Sequence, residues 1–407
     1  MAYSLVNTSA LNNTQGPSIT RYFPVSISYL SLNSTEANVS AIFRTAGVLS
    51  GLVFRVGFNG LQTSTLQIRK NSSTNGNAAV SIPTTTTGQF TESSDISDSV
   101  TAGDTWAFSL TTGANASSLT IVNCNMKFFP SDNTLTMSKF ISNNDSGLSL
   151  SAISTEYLSL TGFLSKSATE ADMTAPFYTA GTLKNMSIYV SANSRTNSSS
   201  FGSRIAGSPG NLAISVSASS TGSFEDTSNT DSVTSGNDIN FYKTFSAGSG
   251  TLTLQQIGAE FITSYDLVTA SIGNTTNGSA TTTYYICAGS HGNFTESWVG
   301  ILANIRAIFA NLTLIVKTNS LDSGTSTFKL RYSSSSHNLS VSITFATTGE
   351  FTDTSNTDRV GAANTFLCYQ LITSGTSGSF VTTGASIIAT PLLLKGVIQN
   401  KSIPIQV

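Results

Sequence analysis

Apolar and polar residues alternate along much of this chain. Residues 183–190, 212–217 and 252–257 show the alternation clearly, with an apolar face and a polar face. Successive side chains of a β-strand point to opposite faces of its sheet, so this period of two predicts half-buried strands. Turn sequences such as Ser208-Pro209-Gly210 recur about every ten residues, which favours a two-sheet antiparallel sandwich. No segment shows the period of an amphipathic helix.

The pattern occurs three times. Residues 35–47 match residues 169–181 at an offset of 134, and residues 224–231 return as residues 351–358 at an offset of 127. An internal repeat of this kind predicts equivalent structural units. We therefore expect an all-β protein of three tandem antiparallel β-sandwich domains, and their length favours the jelly-roll type. The predicted divisions are an N-terminal arm (1–22), three sandwich repeats (23–131, 132–262 and 263–390) and a C-terminal strand or tail (391–407).

The alignment makes further predictions about the core and the termini. It places two sets of apolar residues at equivalent positions, and we expect all six side chains to be buried: Leu49, Leu183 and Phe309, and Phe90, Phe224 and Phe351. The polar N-terminal arm is predicted to be flexible, and either this arm or the first repeat is predicted to contact a host particle. The apolar tail is predicted to add a strand to the third repeat or to a neighbouring subunit.

Composition narrows the possible functions. Charged residues make up only 10% of the chain and the net charge is −2, which argues against binding to nucleic acid or to an anionic membrane. The only candidate membrane span, residues 298–316, is interrupted by polar residues and is interpreted as strands. We expect no signal peptide, because no basic and apolar leader is present. Cys124, Cys287 and Cys368 are far apart and are predicted to be buried thiols.

Acidic turns are the clearest local motif. They contain Glu225, Asp226 and Asp231 in the second repeat, Asp353 and Asp358 in the third, and Glu92, Asp95 and Asp98 in the first. Clustered carboxylates suit Ca²⁺, whereas Asp and Asn also close turns by bonding to nearby amides. We favour the turn, and therefore expect Asp226 and Asp353 to accept hydrogen bonds from amides of their own loops. No metal or other cofactor is predicted.

Catalysis is not expected. His291 and His337 are the only histidines, they are predicted to lie in loops, and neither recurs in another repeat. Three glutamates do recur at equivalent positions and are interpreted as structural contacts: Glu36, Glu170 and Glu296. The two tryptophans, Trp106 and Trp298, lie in alternating segments and are predicted to be buried, although an exposed tryptophan would suggest a sugar-binding platform.

The repeated strings at residues 180–190, 221–233, 236–241 and 250–254 resemble β-sandwich repeats of tailed-bacteriophage structural proteins, which include capsid decoration (cement) proteins and fibres. The resemblance implies a virion surface protein without catalytic residues. It is consistent with synthesis in the cytoplasm of a bacterial host. The expected partners are the major capsid protein or another virion protein and further copies of this chain, with a homotrimer favoured.

Three functions remain open at this point. The first is a structural protein that decorates or cements a capsid or tail surface through one repeat or a terminal arm. The second is a fibre that binds a receptor or a glycan. The third is a subunit of a bacterial surface layer or filament. An exposed aromatic platform would favour the fibre, and large buried faces against a lattice would favour decoration.

Overall fold

The structure is a computed structural model, which describes residues 4–25, 28–29, 32–92, 96–132, 136–151, 153–264, 267–285, 292–293, 301–303, 306–360 and 365–392. These residues form strands almost throughout, and the only helical segments among them are two single 3₁₀ turns, Glu36–Asn38 and Glu170–Asp172. The prediction of an all-β fold is therefore confirmed. No helix in this part of the chain is long and apolar enough to cross a membrane.

The first unit is a sandwich of two sheets. Its strands are β1 (Ser4–Gln15), β2 (Thr20–Pro24), β3 (Ser28–Tyr29), β4 (Ala41–Ile42), β5 (Gly47–Asn59), β6 (Ser64–Lys70), β7 (Thr74–Ile82), β8 (Gly88–Thr91), β9 (Ser97–Val100), β10 (Thr105–Thr111) and β11 (Leu119–Pro130). One sheet has the order β3-β1-β11-β5-β8, with β9 also paired to β5. The other has the order β2-β10-β6-β7, with β4 also paired to β10.

The second unit repeats this arrangement. Its strands are β12 (Thr136–Leu150), β13 (Glu156–Leu158), β14 (Gly162–Phe163), β15 (Lys166–Ser167), β16 (Ala175–Phe177), β17 (Gly181–Asn193), β18 (Ser199–Ile205), β19 (Ser208–Val216), β20 (Gly222–Val233), β21 (Asn237–Phe245) and β22 (Leu252–Thr263). The sheets have the orders β14-β12-β22-β17-β20 and β15-β13-β21-β18-β19, with β16 on β21.

The third unit has the same plan. Its strands are β23 (Leu267–Gly278), β24 (Thr282–Tyr285), β25 (Gly292–Asn293), β26 (Ile301–Ala303), β27 (Ala307–Asn319), β28 (Thr325–Tyr332), β29 (Ser335–Thr344), β30 (Gly349–Val360), β31 (Thr365–Ile372) and β32 (Ser379–Pro391). The sheets have the orders β23-β32-β27-β30 and β25-β24-β31-β28-β29, with β26 on β31.

The connectivity is that of a jelly roll. In the second unit the main strands in chain order are β12, β13, β17, β18, β19, β20, β21 and β22. One sheet pairs the first, eighth, third and sixth of these, and the facing sheet pairs the second, seventh, fourth and fifth. Six of the seven connections between consecutive main strands therefore cross from one sheet to the other, and this strand order is that of the jelly roll, a double Greek key. The first and third units pair equivalent strands in the same order.

The N-terminal segment corrects one prediction. Residues 4–15 do not form a flexible arm, because β1 pairs antiparallel with β11 and supplies the first main strand of the first sandwich. The sequence of β1 hides this role, since its polar residues, SLVNTSALNNTQ, outnumber the apolar ones. Paired backbone groups compensate for the weak apolar pattern. At the other end, β32 ends at Pro391, and residues 393–407 lie outside the described part of the chain.

Apolar side chains fill the space between the paired sheets. Leu49 and Leu183 are fully buried and Phe309 nearly so, as the alignment predicts. Their counterparts Phe90, Phe224 and Phe351 are only half-buried, although each packs against the core. The prediction was wrong for this second set because these residues lie on β8, β20 and β30. Those are edge strands, whose outer side has no neighbouring strand to cover it.

Candidate functional site

The acidic turns link the two sheets of each sandwich. In the second unit, Asp226 and Asp231 lie on β20, which is the edge strand of one sheet. Asp226 Oδ2 accepts a hydrogen bond from the Ala213 amide at 2.9 Å, and Asp231 Oδ1 accepts one from the Asn211 amide. Both amides belong to β19, the edge strand of the facing sheet. The carboxylates therefore join the two sheet edges along what we call the aspartate seam, which comprises Asp226 and Asp231 and, in the third unit, Asp353 and Asp358.

Each seam also contains a closed turn. Asp226 Oδ1 accepts hydrogen bonds from the amides of Ser228 and Asn229, both at 3.1 Å. Asp353 Oδ1 accepts the same two bonds from Ser355 and Asn356, again at 3.1 Å. The prediction that these aspartates bind amides of their own loops is confirmed.

The third and first units repeat the contacts across the sheet edges. Asp358 accepts hydrogen bonds from the amides of Asn338 and Leu339, both at 2.9 Å, and Asp353 accepts one from Ser340 at 3.0 Å. In the first unit, Asp98 accepts bonds from Asn77 at 2.7 Å and Ala78 at 3.1 Å. Glu92 takes the place of Asp226 in the alignment, but the bond that it accepts from the Leu52 amide at 3.2 Å stays within one sheet, because Leu52 lies on β5. Asp95 lies outside the described residues.

A bend in the neighbouring strand accommodates each acidic turn. Asn185 and Asn311, opposite the turns of the second and third units, have φ values of 54°, and Gly51 in the first unit has a φ of 67°. Strand pairing is interrupted at each of these three positions. Left-handed backbone is unfavourable for most residues and is tolerated best by Gly and Asn. The residue types at these three equivalent positions are therefore explained by the backbone.

Hydrogen bonding also sets the charge state of the seam. Burial alone would raise the pKa of Asp226, but hydrogen bonds from Ala213, Asn229 and Ser228 outweigh it and lower the pKa below its ordinary value. Burial and hydrogen bonding act on Asp353 in the same way, with the same net lowering of its pKa. Both carboxylates are thus held ionised by amides of this chain. Among the described residues, no group of three or more His, Cys, Asp or Glu side chains is arranged to hold a metal ion.

The other candidate residues are in structural positions. Glu36 forms an ion pair with Arg69 at 3.2 Å, and the equivalent Glu170 forms one with Arg204 at 2.6 Å. His337 lies in β29, not in a loop as predicted, and its ring stacks on Tyr332. The ion pairs of Glu36 and Glu170 agree with their interpretation as structural contacts.

Some of the remaining candidates lie in the buried core, and the others lie outside the described residues. Cys124 and Cys368 are buried thiols, and Trp106 is 1% exposed. Their predicted burial is therefore confirmed. Cys287, His291, Glu296 and Trp298 lie outside the described residues.

The three sandwiches contact one another in a closed ring. In each unit the segment between the second and third main strands lies against the first and last main strands of the next unit. From the second to the third unit, β16 lies against β32 and β23. From the third back to the first, β26 lies against β11 and β1. From the first to the second, β3 lies against β12 and the residues after β4 bind β22. The chain therefore forms a pseudo-threefold ring.

A buried carboxylate connects the first unit to the second. Glu260 of β22 is fully buried, and it accepts hydrogen bonds from the Arg44 amide at 2.8 Å and the Thr45 hydroxyl at 2.8 Å, both in the first unit. Asn185 donates a further bond at 2.7 Å, and Lys139 Nζ lies 3.8 Å from Glu260 Oε1. Burial lowers the pKa of Lys139, and the charge of Glu260 opposes that change. At the outer edge of the same junction, Arg44 forms an ion pair with Glu225.

The junction between the second and third units uses different residues at the same place. Lys317 forms an ion pair with Asp172 at 2.6 Å, and Tyr178, the counterpart of Arg44, donates a hydrogen bond to Glu350. The Ser386 hydroxyl donates to the Pro176 carbonyl at 2.8 Å. Asp238 lies close by, and its burial, together with the negative charges of Glu350 and Glu170, raises its pKa to about 6.

Sequence reasoning missed the ring. The contacts between units join residues that follow no local period, so strand patterns do not reveal them. One signal was available, because Lys139 and Glu260 are charged residues within strands that otherwise carry almost no charge. Charged residues are almost never fully buried unless they are paired. Two residues of opposite charge in such strands therefore indicate a buried contact between units.

Comparisons with known proteins give little further information. No family model and no curated protein matches the chain. Among solved structures, one described as the triple jelly roll fold and turret assembly of an archaeal virus is similar over 95% of this chain and 90% of its own, at 12% identity and a TM-score of 0.21. A chain from Sulfolobus turreted icosahedral virus is similar over 86% and 81%, at 12% identity and a TM-score of 0.19. TM-scores this low do not establish a shared function.

Proposed function

We propose that this chain is a non-enzymatic structural protein of a virus particle, and that it decorates or cements the outer surface of a bacteriophage capsid or tail. The observation that carries the proposal is the closed ring of three jelly rolls. A ring of this kind presents nearly the same surface three times around one axis. A coat lattice offers matching sites in threefold sets at its symmetry axes, so a single chain is able to engage several coat subunits together.

The contacts within the ring support a structural role. The described acidic side chains of the turns are engaged by amides or arginine, and the junctions are closed by buried polar contacts. The outer surface carries few charges, and hydroxyl and amide groups form wet, polar interfaces without the cost of desolvating ions. The ring changes one expectation, because the units lie side by side. Attachment is therefore proposed through one face of the ring and not through a terminal arm.

Location on the particle tests this proposal. Particles purified from the source culture would be labelled with gold-tagged antibodies against the recombinant chain, and the copy number would be measured by quantitative mass spectrometry. We expect label over the whole shell or tail of intact particles and a copy number comparable with that of the coat protein. Label confined to fibre tips, at a few copies per particle, would favour a receptor-binding fibre. Label on cell surfaces and none on particles would favour a surface layer or filament and would refute the virion role.

A further inference from the structure

Four loops meet at one end of each sandwich. The strand registers bring their ends together, and in the first unit they are residues 15–20, 59–64, 82–88 and 111–119. The equivalent loops of the second unit are residues 150–151 with 153–155, 193–199, 216–222 and 245–252. Those of the third unit are residues 278–282, 319–325, 344–349 and 372–379.

These loops carry almost no charge. They contain two charged residues, Arg195 and Asp322. Arg195 is 1% exposed and donates hydrogen bonds to backbone carbonyls of its own unit. Asp322 is exposed and accepts hydrogen bonds from the amide of Thr376 at 2.8 Å and from its hydroxyl at 2.6 Å. One exposed charge therefore remains across the loops of all three units.

The same ends carry exposed apolar side chains. Of the six large apolar residues that are exposed in the described part of the chain, five lie in these loops or at the strand ends beside them: Ile19, Phe58, Ile153, Phe345 and Ile372. Phe58, Ile153 and Phe345 are 51%, 59% and 45% exposed, and they come one from each unit. Single exposed apolar residues are normal in soluble proteins, but these are confined to one end of the sandwiches. The distribution indicates a contact surface.

The three ends form one face of the ring. Rotation about the pseudo-threefold axis keeps equivalent points at one height, so the loops of all three units lie on the same side. None of the contacts between units described above involves these loops. We call this surface the loop face, and it comprises the loops given above together with Phe58 and Ile372 at their edges.

The chemistry of the loop face suits contact with a second copy of itself. When two copies of one surface meet about a twofold axis, a charged patch faces its own charge, and such like-charge contacts cost several kcal/mol. The loop face avoids this cost. Its Ser and Thr hydroxyls both donate and accept hydrogen bonds, so two identical surfaces satisfy each other. Exposed aromatic residues and few charges are also typical of the central part of protein interfaces.

The loop face is large enough for a stable dimer. A standard interface buries about 800 Å² on each partner. That area is about one-twentieth of the 15348 Å² that the chain exposes, and the loops contain about a fifth of its residues. The net charge of −2 adds little repulsion between two copies.

We propose that two copies of the ring associate through their loop faces, with Phe58, Ile153 and Phe345 of each copy buried against the other. All three units of one ring then contact the partner together, so that contacts that are weak singly add up. This association goes beyond the virion role proposed above. It leaves the opposite face of the ring free to rest on a coat surface.

Sedimentation velocity and native mass spectrometry of the full chain, at concentrations from about 1 to 100 μM, test the proposal. We expect a reversible dimer with twice the chain mass of 42.5 kDa. Raising sodium chloride from about 0.05 to 0.5 M should change the dissociation constant by less than about threefold, because no ion pair crosses the interface. A chain that stays monomeric at every concentration, or one that forms a trimer, would overturn the proposal.

A triple variant assigns the dimer to the loop face. Phe58→Asp, Ile153→Asp and Phe345→Asp together place one carboxylate on the loop face of each unit, where it meets like charges of the partner. We expect association at least about a hundredfold weaker. The three side chains are exposed, so the fold should be retained, and near-ultraviolet circular dichroism checks this.

The matched control adds the same charge at the opposite end of each sandwich. It combines three exposed turn positions: Ser72→Asp, Ala206→Asp and Ser333→Asp. Their φ values are 52°, 48° and 50°, a left-handed conformation that Asp tolerates. We expect this chain to dimerise like the unmodified one.

A charge-swap experiment separates loss of the interface from loss of the fold. The chain with Phe58→Lys, Ile153→Lys and Phe345→Lys should be monomeric alone and should form a heterodimer when mixed with the triple Asp variant. Opposite charges then face each other whichever units meet. Undiminished dimerisation of the triple Asp variant, an equal loss in the matched control, or no heterodimer on mixing would refute the assignment.

Discussion

Replacing Glu260 with Ala tests the junction between the first and second units. The change removes the negative charge that lies 3.8 Å from the buried Lys139 ammonium group. It also removes the acceptor of three hydrogen bonds, which come from the Arg44 backbone amide, the Thr45 hydroxyl and the Asn185 side-chain amide. Breaking a buried ion pair by removing one partner typically costs about 3–5 kcal/mol. We expect the free energy of unfolding of the first two units to fall by about that amount.

The matched control is Glu225→Gln at the outer edge of the same junction. Glu225 pairs with Arg44 but is partly exposed, and exposed pairs contribute about 1 kcal/mol or less. Urea unfolding would be followed by tryptophan fluorescence in a Trp298→Phe background, so that the buried Trp106 reports on the first unit. If Glu260→Ala and Glu225→Gln shift the unfolding free energy equally, by less than about 1 kcal/mol, Glu260 does not hold the junction as described.

Further predictions concern the seam, one buried acid and the first strand. The pKa values of Asp226 and Asp353 are lowered in the folded state, so the contribution of both residues to stability should be complete above about pH 4 and lost as the pH falls further. EDTA should leave the Tm unchanged. A Tm that drops with EDTA and returns with Ca²⁺ would show a metal site. The pKa of Asp238 is raised to about 6, so the free energy of unfolding should decrease by at most about 3 kcal/mol as the pH rises from about 4 to 6. Urea titrations at a series of pH values measure this dependence, and Asp238→Asn should abolish it. Deletion of residues 1–20 removes all of β1 and should therefore unfold the first sandwich, measured as loss of the near-ultraviolet circular dichroism of Trp106. An unchanged signal would support the prediction that these residues form a flexible arm. Sedimentation velocity tests the predicted homo-oligomer, which a monomeric result would contradict.

Strand patterns predicted the architecture because it is encoded locally. The alternation around Leu183 and Leu252 reflects the apolar face that each sheet turns to the core, although most of β22 is buried on its other face as well. The offset between Phe224 and Phe351 reflects a repeated turn. The half-burial of those phenylalanines was not predictable from alternation, because alternation does not distinguish an edge strand from a central one.

Long-range contacts were less accessible to sequence reasoning. Strand β1 was missed because its place is fixed by backbone pairing with β11 and not by an apolar face. The turns were identified correctly from Asp226 and its neighbours, but the partner amide of Ala213 lies in a different sheet. The contact of Glu260 with the Arg44 amide depends on how two units meet, and no segment of one unit encodes that arrangement.

A cryo-electron microscopy reconstruction of the source particle tests the central claim most directly. We expect a three-lobed density on the outside of the capsid or tail, with each lobe fitting one jelly roll, the three lobes closed into a ring, and one face of the ring resting on the coat subunits. Three lobes in an open line, or a particle surface that carries no such density, would contradict the account.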